Sequence, residues 1–120
     1  MKSIKVDYHQ GDICLINFDP TINDEINKIR PAIIINGDFA IGLDLKIVAP
    51  ITNWRPDFSK IWWLVNLKRT ISNGLDKDSA ANCSQIRCIS VDRIIKRIGN
   101  ESTELENIVA TAQNCIEVMF

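Results

Sequence analysis

The stretch GDICLINFDPTINDEINKIRP, residues 11–31, reads as a short apolar strand, a charged loop and the entry of a second strand. Ile13 to Phe18 is β-rich, and Asp19-Pro20 is a turn signal that ends it. Pro31 biases Arg30 toward extended backbone, so the loop returns straight into a strand with a guanidinium at its mouth. A polar loop set beside a rigid strand pair is a common way to present catalytic groups.

Outward from that stretch, further β-rich segments recur at 31–36, 46–52, 61–67 and 84–89, each flanked by Asp, Asn, Gly or Pro. Several short strands of this kind predict a small barrel or sandwich. The runs Ala32-Ile33-Ile34-Ile35 and Ile47-Val48-Ala49 are apolar on successive residues, which predicts cover on both faces. Near the C-terminus, Leu105, Ile108, Val109, Ala112, Ile116 and Met119 recur at helical spacing. Thr103 and Glu106 read as a capping box at the start of that amphipathic helix. Val91, Ile94, Ile95 and Ile98 fit a helical turn ended by Gly99 or, over so short a stretch, a strand. The fold class expected is mainly β (α+β), a barrel closed by one C-terminal helix.

At 120 residues the chain is expected to form one domain, 1–120, with a core that needs neither disulfides nor metal. Hydrophobic residues make up 46% and charged residues 24%, which excludes a disordered chain. Net charge is −1, so no global electrostatic case for nucleic-acid binding exists. Locally, Arg87, Arg93, Lys96 and Arg97 face only Asp92 between Gln85 and Gly99, so a contact with RNA has to be local and geometric. Cys14, Cys83, Cys88 and Cys115 are scattered, with no metal-ligand spacing, and no metal or cofactor is expected. The start lacks a signal-peptide apolar core and no run approaches a membrane span, which predicts a cytoplasmic protein.

Taken together, the GD-initiated first strand, the FDPT turn, the acid-bearing loop into Arg30-Pro31, the APIT strand end at 49–52 and NGLDKDSAANCSQIRCISVDRIIKRIG resemble the MazF/PemK family of toxin endoribonucleases. The resemblance covers almost the whole chain. It implies an SH3-like barrel of the CcdB/PemK type, acting as a homodimer that cleaves single-stranded RNA, including mRNA, at short sequences without metal. It implies 2′,3′-cyclic phosphate and 5′-hydroxyl ends, and a cognate antitoxin whose disordered acidic tail covers the cleft.

By the same resemblance Arg30 and Thr52 match the catalytic arginine and threonine and Glu25 the loop glutamate. Asn23, Lys28, Asn53, Trp54, Gln85 and Arg87 are the expected RNA contacts. A guanidinium fork suits phosphate oxygens and a phosphorane's charge. A threonine hydroxyl at a strand end can donate to a non-bridging oxygen, and a carboxylate can take a 2′-hydroxyl proton. Taken from spacing alone, Arg30 equally fits a surface pair with Asp24 or Glu25, and Thr52 an ordinary strand residue. Of the tryptophans, Trp54 lies in a candidate site loop, while Trp62 and Trp63 would point to opposite faces if they lie on a strand. Gln85 and Arg87 would share a face by the same alternation. Where the family loop reads Gly-Ser-Glu-Gln, this chain has Asn23-Asp24-Glu25-Ile26, a change that bears on substrate contacts. Two other readings stand: a CcdB-like toxin that inhibits gyrase by binding, and a barrel that only pairs with other proteins.

Overall fold

In the computed structural model, residues 7–19, 28–38 and 44–117 are described. Among these residues are seven antiparallel strands and one α-helix: β1 (Asp12–Asn17), β2 (Ile29–Ile34), β3 (Leu45–Asn53), β4 (Leu64–Leu67), β5 (Ser79–Asn82), β6 (Arg87–Ser90), β7 (Ile94–Asn100) and α1 (Leu105–Cys115). Strand order is β4-β5-β3-β2-β1-β7, with β6 also paired to β3.

The long strand β3 explains the architecture. Its first half pairs with β6, Leu45 to Val48 against Ser90 to Arg87, and its last three residues pair with β5. One strand therefore serves two sheets, and the chain must bend between them. In the larger sheet β6-β3-β2-β1-β7, the two edges are joined by a three-residue 3-10 turn, Val91–Arg93. No ladder links β6 to β7 among the described residues, so the ring stays open, unlike a fully hydrogen-bonded barrel. It curls nonetheless. Arg87 on β6 and Phe18 just past β1 are three strands apart in the ladder, yet the guanidinium carbon lies 5.6 Å from the ring centroid. Two register shifts in the β1–β7 ladder add local twist.

The run Ala32-Ile33-Ile34 divides as its composition predicts. Ala32 and Ile34 join Cys14, Ile16, Phe18, Val48 and Ile89 inside the curl. Ile33 joins Ile13, Ala49, Ile51, Leu67 and Ile108 on the other face, beneath α1. Ile108 is fully buried there, which is worth ~1.5–3 kcal/mol relative to exposure.

Three expectations need correction. The capping box is not formed: Glu104 rather than Thr103 is the N-cap, its carboxylate accepts from Asn107 Nδ2 at 3.2 Å instead of capping, and the Glu101 carboxylate accepts its backbone N–H at 3.1 Å. Trp62 and Trp63 sit in the turn before β4 rather than on a strand, and both are exposed, at 59% and 36%, packed edge to face. Gln85 lies in a 3-10 turn ahead of β6, so strand alternation does not relate it to Arg87. The stretch after Ser90 combines a 3-10 turn with a strand, and β5 falls within what the sequence presents as a polar loop.

Candidate active site

Arg30 is the second residue of β2 and pairs with Ile16 of β1. On its other side β2 meets β3 with Ala32 opposite Pro50 and Ile34 opposite Val48. Carried two residues further, that register sets Arg30 level with Thr52. Strand alternation gives Arg30, Ala32 and Ile34 one face, and Val48, Pro50 and Thr52 the same face. Arginine and threonine thus lie level on one face at the rim of the curled sheet, both half-buried, beside the apolar cluster that fills it.

Arg87 reaches the same rim from β6. Its guanidinium lies over Phe18, and its Nη1 donates to the Phe18 carbonyl at 3.5 Å, a long contact. A second arginine, Arg93, donates through Nη1 to the carbonyls of Asn17, at 3.1 Å, and Asp19. Three consecutive carbonyls at the end of β1 are therefore held by two cations.

Across from them stands Lys28, exposed and at φ +63°, a left-handed conformation uncommon for a residue with a β-carbon. Its carbonyl accepts the Phe18 N–H at 2.9 Å and its own N–H donates to Asp19 Oδ1 at 2.8 Å. These bonds fix the neck from which β2 departs, two residues before Arg30.

Glu25 and Asn23 lie outside the described residues, as do Asp24 and Ile26. Asn53 ends β3 exposed and falls on the opposite face from Thr52, lining a cavity with Leu15 and Pro31. Trp54 is half-buried, its N–H donating to the Asp78 carbonyl at 2.9 Å and its indole 5.8 Å edge-on from Phe58. Gln85, half-buried, precedes β6. So the geometry groups Arg30, Thr52, Arg87 and Lys28 at one rim and sets Asn53 behind it. Arg93 and Asp19 at the neck were not singled out by sequence. Asp19 carried a signal, an Asp before Pro in a turn, whereas Arg93 is one of several bases in the segment 85–99, at the end of the 3-10 turn before β7, with nothing local to mark it.

The other cations of the basic segment are differently engaged. Arg97 donates through Nε to Asp12 Oδ2 at 2.8 Å, also reaches the Asp7 carbonyl, and stacks on Tyr8 at 5.2 Å. Asp12, 6% exposed, accepts further from the His9 N–H at 2.8 Å. The Gly-Asp pair that opens β1 is thus a structural node. Burial pushes the Cys14 and Cys83 thiols up to about 12, which makes both inert toward nucleophilic chemistry at neutral pH. Among the described residues no group of three or more His, Cys, Asp or Glu is placed to hold a metal.

The chain is thus a curled, open antiparallel sheet with one C-terminal helix, with an arginine and a threonine on one face at the sheet's rim. The chain belongs to the PemK-like, MazF-like toxins of type II toxin-antitoxin systems, whose family model matches residues 9–116. It is 29% identical over 99 residues to Endoribonuclease MazF9 of Mycobacterium tuberculosis (strain ATCC 25618 / H37Rv), a match spanning 78% of this chain and 81% of that protein. Its fold superimposes on MazF (Form-I) from Deinococcus radiodurans with TM-score 0.76 at 15% identity, covering 92% of this chain and 96% of the other. It also superimposes on an endoribonuclease in complex with its cognate antitoxin from Mycobacterial species, with TM-score 0.67 at 11% identity over 94% and 98% of the two chains.

Proposed function

We propose that this toxin is an endoribonuclease that cuts single-stranded RNA at short sequences, using the substrate's own 2′-hydroxyl as nucleophile. The observation that carries this is the strand register that brings Arg30 level with Thr52 on one face, with the Arg87 guanidinium reaching the same rim. Family membership supports it, as does the name of the mycobacterial relative.

In this reading a bond forms from O2′ to phosphorus as the bond to O5′ breaks, leaving a 2′,3′-cyclic phosphate and a 5′-hydroxyl. Arg30 holds the non-bridging oxygens as negative charge builds on them, and Thr52 donates a hydrogen bond to one of them. Glu25 takes the 2′-hydroxyl proton. The leaving oxygen collects its proton from solvent or from Arg30 in the transition state. Because the nucleophile belongs to the substrate, no metal-bound water is called for, and DNA is spared. Asn23, Lys28, Asn53, Trp54, Gln85 and Arg87 contact the RNA around that phosphate. The active form is a cytoplasmic homodimer. A cognate antitoxin silences it by laying an acidic, disordered segment over Arg30 and Arg87, ordering on binding.

The test is purified protein, with EDTA present, on a long unstructured RNA beside the Arg30→Ala variant, with fragment ends mapped. Discrete cuts leaving 5′-hydroxyl ends, absent in the folded variant, are expected. No cleavage by a folded protein that still poisons cells would overturn the enzyme and make gyrase binding the next assay.

A further inference from the structure

Phe18 opens the FDPT turn one residue past β1, where the strand gives way to a loop, and yet it is fully buried. Its N–H, its carbonyl and its ring are each engaged. The N–H donates to the Lys28 carbonyl at 2.9 Å, the carbonyl accepts Arg87 Nη1 at 3.5 Å, and the ring lies beneath the Arg87 guanidinium, whose carbon is 5.6 Å from the ring centroid. The ring belongs to the apolar cluster inside the curl, with Ile16, Ile34 and Val48, so close packing keeps it in place under the cation.

How an arginine is held decides what charge it can offer. Arg97 stacks on Tyr8 but is also bonded to Asp12 at 2.8 Å, and Arg55 lies over Phe58 with Asp57 at 3.6 Å. In both, a carboxylate already neutralises the guanidinium. Arg87 is held by an aromatic face and a carbonyl, and among the described residues no carboxylate lies within ion-pair distance of it. Those groups attract the cation without cancelling its charge, and the donors of the planar fork not turned to Phe18 stay available to an anion. Position in the ladder does not by itself bring Arg87 to the rim. It pairs with Val48, four residues along β3 from Thr52, so the side chain makes the reach, and Phe18 is what it reaches to.

We propose that Phe18 is a positioning residue for RNA cleavage, its ring and carbonyl holding the Arg87 guanidinium at the rim, uncancelled and oriented toward an RNA phosphate. The inference rests on the ribonuclease reading of the rim. Through its N–H the same residue fixes the Lys28 carbonyl, so one buried side chain and its backbone set both approaches, Arg87 from β6 and the neck that leads to Arg30.

The test is a double-mutant cycle in the cleavage of an RNA oligonucleotide, with Phe18→Leu and Arg87→Met made singly and together and each variant checked by urea unfolding. Leucine keeps the site apolar and removes the ring face. Phe18→Leu is expected to lower kcat about tenfold with KM little changed, because the charge remains while its orientation is lost, the order of one hydrogen bond to a charged group. In the Arg87→Met background the same substitution should change kcat by less than about twofold, although its cost to stability persists. Phe18→Met, which refills the volume with a flexible chain, should give the same pattern and serves if the leucine variant does not fold. Equal kcat losses in the two backgrounds would overturn the proposal and leave Phe18 a core residue only. So would an unchanged kcat in Phe18→Leu. No cleavage by the folded, unsubstituted protein would remove the ribonuclease reading and the positioning role with it, a result distinct from a cycle that shows cleavage without coupling.

Discussion

The connection from β4 to β5 and the neck between β1 and β2 solve the same problem, holding a turn of chain against the sheet, by opposite means. In the first, polar groups are buried and fully paired: Asn73 is inaccessible, Glu101 is 6% exposed, and two glycines let backbone touch backbone. In the second, Arg93 and Arg87 grip three carbonyls from the surface, and Lys28 accepts a left-handed backbone to complete the bonds. Buried pairing is costly to undo because each orphaned group has no water to replace its partner. Surface clamps are cheap to undo, since water and salt compete for the same groups. The first region is therefore built as a fixed wall and the second as an adjustable one.

The sharpest way to break that contrast is Gly74→Ala. An added β-carbon meets the Ile98 carbonyl on backbone that alanine disfavours, so a loss of at least ~3 kcal/mol is expected. Urea unfolding would read it as a lower midpoint at unchanged slope. A variant as stable as the parent would mean that the connection detaches without cost. Asn73→Ala follows, at about 2–4 kcal/mol, because it leaves the Lys68 carbonyl, Glu101 and two N–H groups without their partner. Glu101 also accepts the Glu104 N–H, so α1 should fray first, visible as lost far-UV helical signal below the main transition.

What was legible in the sequence divides along the same line. β1 to β3 were readable because their apolar residues are successive, and each parity found its own core. Arg30 and Thr52 were readable as strand-end residues, and strand pairing explains why they lie level on one face. β5 was not, since Ser79-Ala80-Ala81-Asn82 has low strand propensity and is a strand only because β3 and β4 flank it. Asn73 was hidden because an Asn before Gly reads as a solvated turn; nothing local says that the turn is buried. The clamp by Arg93 spans more than seventy residues of sequence, so no local pattern could signal it.

Alkaline titration tests the two sides together, because each encloses one inaccessible thiol, Cys14 inside the curl and Cys83 beneath α1. Burial pushes both up to about 12 from an ordinary 9.0, with Asp12 adding to the first and Cys115 to the second. The unfolded chain thus gives up these protons first. Stability is intact below pH 9 and falls as pH rises toward about 12, by roughly 1.4 kcal/mol per pH unit per thiol. Removing either thiol, as Cys14→Ala or Cys83→Ala, should flatten the decline by one thiol's share. If Cys83→Ala alone does so, the Cys14 side opens locally at high pH and the neck end of the sheet is the looser one.

The smallest stability effect, and the most informative for function, belongs to Arg93→Ala. Its bonds to the Asn17 and Asp19 carbonyls lie at the surface, so water replaces them at a cost of ~1 kcal/mol or less. Yet Asp19 bonds the Lys28 N–H, and the Lys28 carbonyl bonds Phe18, setting the approach to Arg30. Small misplacements of a group that must meet a transition state reduce turnover more than binding. Arg93→Ala should therefore lower kcat about tenfold, leave KM and sequence preference in place, and be partly restored in Arg93→Lys, which keeps a donor there. An unchanged kcat would show that the neck positions itself without the arginine. A rise in KM alone would instead make Arg93 a contact for the RNA backbone, and the contrast between a fixed and an adjustable wall would then rest on Arg87 and Lys28.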